Sequence, residues 1–107
     1  MARFICDTCG EEVQVIDGIV SWTREEKVLK NFRLTHKNEV KAGCQPENNR
    51  YRELYTLTLA SGFMEFVQYL LERWEDGLVL GDPDTLQKVT RQLSLHMHEK
   101  LLMLVEE

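Results

Sequence analysis

The feature that most constrains this sequence is a set of four metal-ligand residues in its first half. They form the pattern Cys6-x2-Cys9-x26-His36-x7-Cys44. Three thiolates and one imidazole suit a tetrahedral ion such as Zn²⁺, and four protein ligands leave no position for a water molecule. The pattern therefore predicts a closed structural Zn²⁺ site, one per chain, that ties distant parts of the chain together.

The first ligand pair lies in a short motif, Cys6-Asp-Thr-Cys-Gly10. This motif resembles the Cys-x-x-Cys-Gly turns of zinc-ribbon and treble-clef proteins, in which the glycine lets backbone amides face the sulfurs. The resemblance covers only residues 4–10. It does not extend to the second ligand pair, because seven residues separate His36 from Cys44 where those proteins have another tight pair.

Other interpretations of the three cysteines stay open. Their odd number, without an export signal, argues against a disulfide framework. A redox Cys-x-x-Cys pair would be expected to open a helix, whereas strand-like residues flank this one. Cys6 and Cys9 could also be buried small hydrophobic residues, with Cys44 a free thiol and His36 a hydrogen-bonded histidine at a strand end. Iron is an alternative to zinc, although the spacing matches none of the common cluster patterns.

Length and composition predict a single domain over residues 1–107. Hydrophobic residues make up 43% and charged residues 29% of the chain, which excludes disordered and collagen-like classes. A domain of this size buries only roughly 60–65% of its unfolded surface, so a metal or a second subunit would help it to fold. The sequence contains neither an apolar run long enough to cross a bilayer nor a signal-peptide pattern, so we expect a cytoplasmic protein without membrane contact.

The net charge of −5 arises entirely in the second half, where five basic residues face ten acidic ones over residues 51–107. This excess argues against general binding to nucleic acid or to anionic membranes. One local basic run supports an alternative, a zinc-dependent nucleic-acid-binding or regulatory protein with Trp22 or Phe32 stacking on bases. The run consists of Arg24, Lys27, Lys30, Arg33, Lys37 and Lys41.

Residues 1–45 are predicted to form the metal-binding β subregion. Asp17-Gly18 suits a two-residue turn, so residues 13–16 and 19–22 are expected to pair as a hairpin. Residues 28–36 predict a third strand that places Val28, Phe32, Leu34 and His36 on one face. Breaking residues between Gly43 and Asn49 then mark a hinge.

Residues 50–107 are predicted to form a helical subregion. Apolar residues from Leu54 to Trp74 recur at helical spacing, and Gly77 marks the end of that helix. Asp82-Pro83 is typical of a new helix start, and its apolar stripe continues to Leu104 through Leu101. The expected fold class is α+β, with a small zinc-stabilised, zinc-knuckle-like antiparallel β-sheet head followed by a helical hairpin.

No constellation of residues predicts catalysis. His96 and His98 lie two apart on a helix and cannot chelate one ion together, and no glycine-rich phosphate loop is present. We therefore expect a protein that is not an enzyme.

Apolar residues cover a wide arc of the first helix, and Leu95 and Leu102 widen that of the second. A homodimer through the helical half, or a partner protein, would bury this surface. The sequence thus predicts a small zinc-binding protein that acts as a protein–protein interaction or self-associating module.

Overall fold

A computed structural model of the chain describes residues 3–105, with side chains as far as residue 99. It combines strands and helices, which confirms the α+β class. The elements are β1 (Phe4–Ile5), β2 (Glu12–Val13), β3 (Gly18–Glu25), β4 (Val28–His36), β5 (Arg50–Glu53), α1 (Leu54–Leu57), α2 (Ala60–Glu75), β6 (Val79–Leu80) and α3 (Pro83–Val105).

The described strands form two sheets. β1 and β2 make a small antiparallel pair, and the other four strands lie in the order β5-β3-β4-β6. β3 pairs antiparallel with both β4 and β5, whereas the two-residue β6 runs parallel to β4. The predicted small antiparallel sheet is therefore present, with one short parallel strand added at its edge.

The hairpin expected around Asp17-Gly18 is wrong. Val13 pairs with Phe4 of β1, and a 3-10 turn (Val15–Asp17) redirects the chain so that β3 starts at Gly18. The Cys-x-x-Cys turn brings β1 beside β2, so β1 becomes the partner strand of Val13. The sequence around Asp17-Gly18 gives no sign of this pairing. The hairpin of the main sheet instead joins β3 to β4 at Glu26, whose φ is +52°.

Strand β4 has the predicted bounds, but a bulge shifts its side-chain alternation. Asn31, with a φ of +58°, is the extra residue where the register with β3 slips. As a result Leu29, and not Val28 as predicted, shares the buried face with Phe32. The last residue of the strand, His36, still lies on that face.

The core occupies one face of the four-stranded sheet. Trp22 of β3 is fully buried and stacks on Phe32, with the ring centroids 5.6 Å apart. Phe66 of α2 packs against the same indole, and α3 contributes the fully buried Val89 and Leu93. Both long helices therefore bury one apolar face against this sheet.

The predicted helical hairpin is also wrong. The connection between α2 and α3 contains β6, which pairs with β4, so that the two helices reach the sheet separately. Leu78, at 5% exposure, inserts into the core just before β6. Burial of this leucine and the hydrogen bonds of β6 outweigh direct helix pairing. The segment Arg50–Glu53, expected to be helical from residue 51, forms an edge strand.

The ends of the helices agree with the sequence signals. α2 stops at Glu75, and Gly77 follows with a φ of +87°. α3 begins at Pro83, as predicted. The carboxylate of the preceding Asp82 also accepts the backbone N–H of Asn31 at 2.8 Å. The start of α3 is thereby fixed to the bulge of β4. Leu101, Leu102 and Leu104 of the predicted apolar surface lie outside the described side chains.

A loop over residues 37–49 leads from β4 to β5, and Asn48 attaches it to the sheet. The Asn48 side-chain amide donates to the Ser21 hydroxyl and to the Asn31 carbonyl, both at 3.1 Å. This attachment holds the loop that carries Cys44 in place.

The corner between α1 and α2 predicts a strict requirement for Gly62. A Cβ atom at this buried position would overlap the Thr56 carbonyl, a backbone atom that cannot rotate away. Gly62→Ala should therefore destabilise the protein by about 2 kcal/mol, although alanine is the better helix former. Urea unfolding measures this change, with Ser61→Ala on the exposed side of the same turn as the control. A Gly62→Ala midpoint at or above that of the wild type would contradict the packing described here.

Candidate metal centre

The structure brings together the four residues singled out by the sequence. Cys6 follows β1, Cys9 lies in the turn before β2, His36 ends β4, and Cys44 lies in the 37–49 loop. Their ligand atoms all lie within 4.8 Å of one another, and all but the half-buried Cys9 are buried. These four residues are positioned to bind a metal ion.

The local structure of the turn explains how its two cysteines come to face one point. Gly10 has a φ of +76°, which lets its N–H return to the Cys6 carbonyl at 3.0 Å. The backbone N–H groups of Thr8 and Cys9 point at the Cys6 sulfur, at 3.4 and 3.5 Å. This arrangement of amides around a sulfur is the one that the Cys-x-x-Cys-Gly motif predicts.

His36 is held with one ring nitrogen aimed at the cysteines. Its Nε2 lies 3.1 Å from the Glu12 carbonyl oxygen, and because a carbonyl only accepts, Nε2 carries the hydrogen. The lone pair is then on Nδ1, which lies 3.6 Å from the Cys9 sulfur. A carbonyl that orients the second nitrogen is the usual support for a metal-binding histidine.

Cys44 reaches the cluster through the contacts of its loop. The Thr8 hydroxyl donates to the Cys44 carbonyl at 2.6 Å, which connects the loop to the Cys-x-x-Cys turn. Nearby, the Lys41 ammonium pairs with the Glu11 carboxylate at 2.6 Å. These contacts hold the fourth ligand close to the other three.

The surroundings perturb two of the thiols in opposite directions. Burial of Cys6 would by itself raise its pKa, but the amides of Cys9 and Thr8 and contacts with His36 lower that pKa to about 6. For Cys44, burial and the neighbouring Cys9 and Cys6 sulfurs raise the pKa to about 11. At neutral pH the Cys6 sulfur is therefore a thiolate, and the Cys44 sulfur keeps its proton.

Helix α3 packs against the segment that carries Cys6, which the sequence analysis did not foresee. Three residues of α3, spaced four apart, contact this segment. Lys88 forms an ion pair with Asp7, Gln92 accepts the Ile5 N–H, and the His96 ring packs against Phe4. The Asp7 carboxylate also accepts the Leu34 N–H at 2.8 Å. The four-residue spacing is visible in the sequence, but nothing there identifies the distant segment that it contacts.

The predicted nucleic-acid surface does not form as expected. Trp22 and Phe32, the proposed stacking residues, are 0% and 1% exposed, so neither can stack on a base. Half of the basic run is already paired, because Lys30, Lys37 and Lys41 each contact a glutamate within 3.0 Å. The cationic character of this region is reduced accordingly.

The redox interpretation of the Cys-x-x-Cys pair also lacks its expected setting. The pair lies in a turn between two short strands rather than at the start of a helix, and Cys6 is 2% exposed. Within residues 3–105, no helix is long and apolar enough to cross a membrane.

Comparison with known proteins adds no family to this description. No family model matches the chain, and no curated protein or solved structure is significantly similar to it.

The link between Thr8 and Cys44 predicts an effect on metal affinity. Thr8→Val keeps the shape of the side chain but removes the donor to the Cys44 carbonyl, so the fourth ligand is less firmly held. We expect metal affinity to fall by roughly tenfold, in the usual range for residues that orient ligands. Competition with a chromophoric chelator measures the loss, and Thr90→Val on α3, whose hydroxyl bonds only to its own helix turn at Gln87, is the control. Equal affinities in the two variants would show that this hydrogen bond does not position Cys44.

Proposed function

We propose that this chain is a small zinc-binding protein in which one structural Zn²⁺ holds the N-terminal β subregion and the helical half provides a surface for protein interaction. The observation that carries the proposal is the convergence of Cys6, Cys9, His36 and Cys44 on one point from three separate segments.

Three sulfurs and one imidazole suit zinc. Tetrahedral Zn²⁺ with bonds of about 2.3 Å to sulfur and 2.0–2.1 Å to nitrogen separates a sulfur from a nitrogen by about 3.6 Å. Cys9 Sγ and His36 Nδ1 are 3.6 Å apart, and the four ligand atoms all lie within 4.8 Å of one another, so small movements would complete the tetrahedron. Three thiolates and an imidazole exclude the hard ions Mg²⁺ and Ca²⁺, and their spacing differs from that of common iron–sulfur sites.

Four protein ligands support a structural ion and a role that is not enzymatic. A catalytic zinc keeps one position for water or substrate, whereas the four residues here could each supply one ligand to a tetrahedral ion. Three of the four residues are buried, which would keep solvent away from a bound ion. Reduced thiols in the ligand set also favour a cytoplasmic location.

The helical half supports an interaction role through its exposed apolar side chains. Trp74 is 73% exposed, Met64 61% and Leu71 49%, all on α2, and Leu95 of α3 is 57% exposed. Surfaces of this kind are typical of sites that another protein covers. A homodimer through this half, at the exposed Met64 and Leu95, is the first form of association that we propose.

The zinc proposal predicts one ion per chain. Native mass spectrometry of protein purified without added metal should show one Zn²⁺ per chain, and the same spectrum reports the proposed dimer. Removal of the ion with a chelator should unfold residues 3–13, because the two strands of β1 and β2 are too short to remain paired alone.

Cys9→Ser should lose the ion, whereas Ser94→Cys on the exposed side of α3 should keep one ion and serve as the control. A wild-type mass equal to that of the bare polypeptide would refute the zinc site.

The shifted thiols predict how affinity depends on pH. At pH 7–8 Cys6 is already a thiolate, but Cys44 must release a proton to bind the ion, so affinity should rise about tenfold per pH unit from Cys44 alone. Below about pH 6, protonation of Cys6 should make the dependence steeper. Chelator competition between pH 5.5 and 8 measures the slope. An affinity that does not change between pH 7 and 8 would contradict a protonated Cys44 in the free protein.

A further inference from the structure

A groove lies at the end of the molecule where α2, β6 and the start of α3 meet. Its volume is about 460 Å³, within the range of binding clefts. Its walls are aliphatic or aromatic apart from Arg73, and they include Trp74, Leu71, Val79 and Leu80. These four side chains are 73%, 49%, 58% and 41% exposed, so the groove is an apolar surface left open to solvent.

The margins of this groove are acidic. Arg73, its one charged wall residue, is already paired with the Asp76 carboxylate at 3.1 Å and lies 3.9 Å from that of Glu72. Glu75 follows Trp74, and Asp84 follows the groove residue Pro83, and both are exposed. Lys27, whose carbonyl accepts the Val79 N–H, is exposed beside β6 but leaves the margin with a net negative charge.

The charge selects among the possible occupants. An anionic membrane or a nucleic acid would meet the carboxylates at the margin, which is unfavourable. A second copy docked groove to groove would bring two acidic margins together, because a two-fold interface is formed by the same surface of both subunits. A segment with apolar side chains for the groove and lysines or arginines for its margin satisfies both features.

We propose that this groove binds a basic, amphipathic segment of a partner protein. The segment would insert its apolar side chains among Trp74, Leu71 and Leu80, and its cations would face Glu72, Glu75 and Asp84. This inference rests on the proposed interaction function and names the chemistry of the partner.

Selection from a random peptide library tests the chemistry without assuming a sequence. The metal-loaded full chain is the target, and binders are counter-selected against a Leu80→Asp variant, which puts a charge into the groove. Selected 16-residue peptides should combine apolar residues with an excess of lysine and arginine. Neutral or acidic peptides among the groove-dependent binders, or no groove-dependent binder, would overturn the proposal.

Variants then test the individual contacts with the strongest selected peptide. Glu72→Lys with Glu75→Lys should weaken binding about tenfold, whereas Glu39→Lys with Glu47→Lys, the same charge change in the 37–49 loop, should leave affinity within about twofold. Met64→Asp, an exposed apolar position of α2 outside the groove walls, is the control for Leu80→Asp. If each variant and its control lost the same amount of peptide affinity, the acidic margin and the apolar walls would not be the binding site.

Fluorescence reports where the peptide binds, because the chain has two tryptophans in opposite settings. Trp22 is fully buried, so a shift of emission to shorter wavelength on binding would come from Trp74. Titration without such a shift would place the peptide elsewhere and overturn the proposal. A dimer of the free protein that Leu80→Asp abolishes would also overturn it, since a second copy would then occupy the groove.

Metal content separates this inference from the zinc proposal. A metal-free protein that binds basic peptides in the groove would refute the zinc site and support the groove. A zinc-loaded protein without charge-dependent peptide binding would refute the groove proposal alone.

Discussion

The meeting of three chain segments at the Cys₃His cluster is the constraint on which the N-terminal part of this structure depends. The strands β1 and β2 contain two residues each, too few to stay paired by their own hydrogen bonds. An ion bound by Cys6, Cys9, His36 and Cys44 would join this pair to the end of β4 and to the 37–49 loop, replacing a core that the segment is too small to build.

Polar side chains carry out the same joining function elsewhere in the fold. The bulge of β4 exposes backbone groups at Asn31, and two partners satisfy them, with the Asp82 carboxylate on its N–H and the Asn48 amide on its carbonyl. Since unpaired backbone groups are costly when buried, these bonds explain why the bulge is tolerated in the middle of the sheet. They also align the start of α3 and the Cys44 loop with one strand.

The candidate site could be predicted from the sequence more completely than the fold around it. Ligand chemistry depends on residue types and on the turn at Gly10, both of which are local. Pairing of strands is not local. The hairpin predicted from Asp17-Gly18 was therefore wrong, because Val13 pairs with Phe4 instead. The predicted alternation of buried and exposed side chains along β4 was wrong for a similar reason. The positive φ of Asn31 interrupts it, and this conformation is supported by Asp82 and Asn48, which are far away in the sequence.

The helices show the same limit of local patterns. The end of α2 before Gly77 and the start of α3 at Pro83 follow from capping residues and were predicted. The strand β6 between the two helices was not predicted. Burial of Leu78 in the core and pairing of β6 with β4 both depend on the sheet, which is formed by residues distant in the sequence.

The hydrogen bond from the Ile5 N–H to the Gln92 side chain joins residues 87 positions apart. During synthesis the first strand therefore leaves the ribosome long before the helix that completes it has been made. In that interval the segment of Cys6 and Cys9 lacks the contacts that α3 makes with it in the complete fold. Any Zn²⁺ captured at that stage would be held by two sulfurs until His36 and Cys44 arrive, so the order of ligand addition would follow the order of translation.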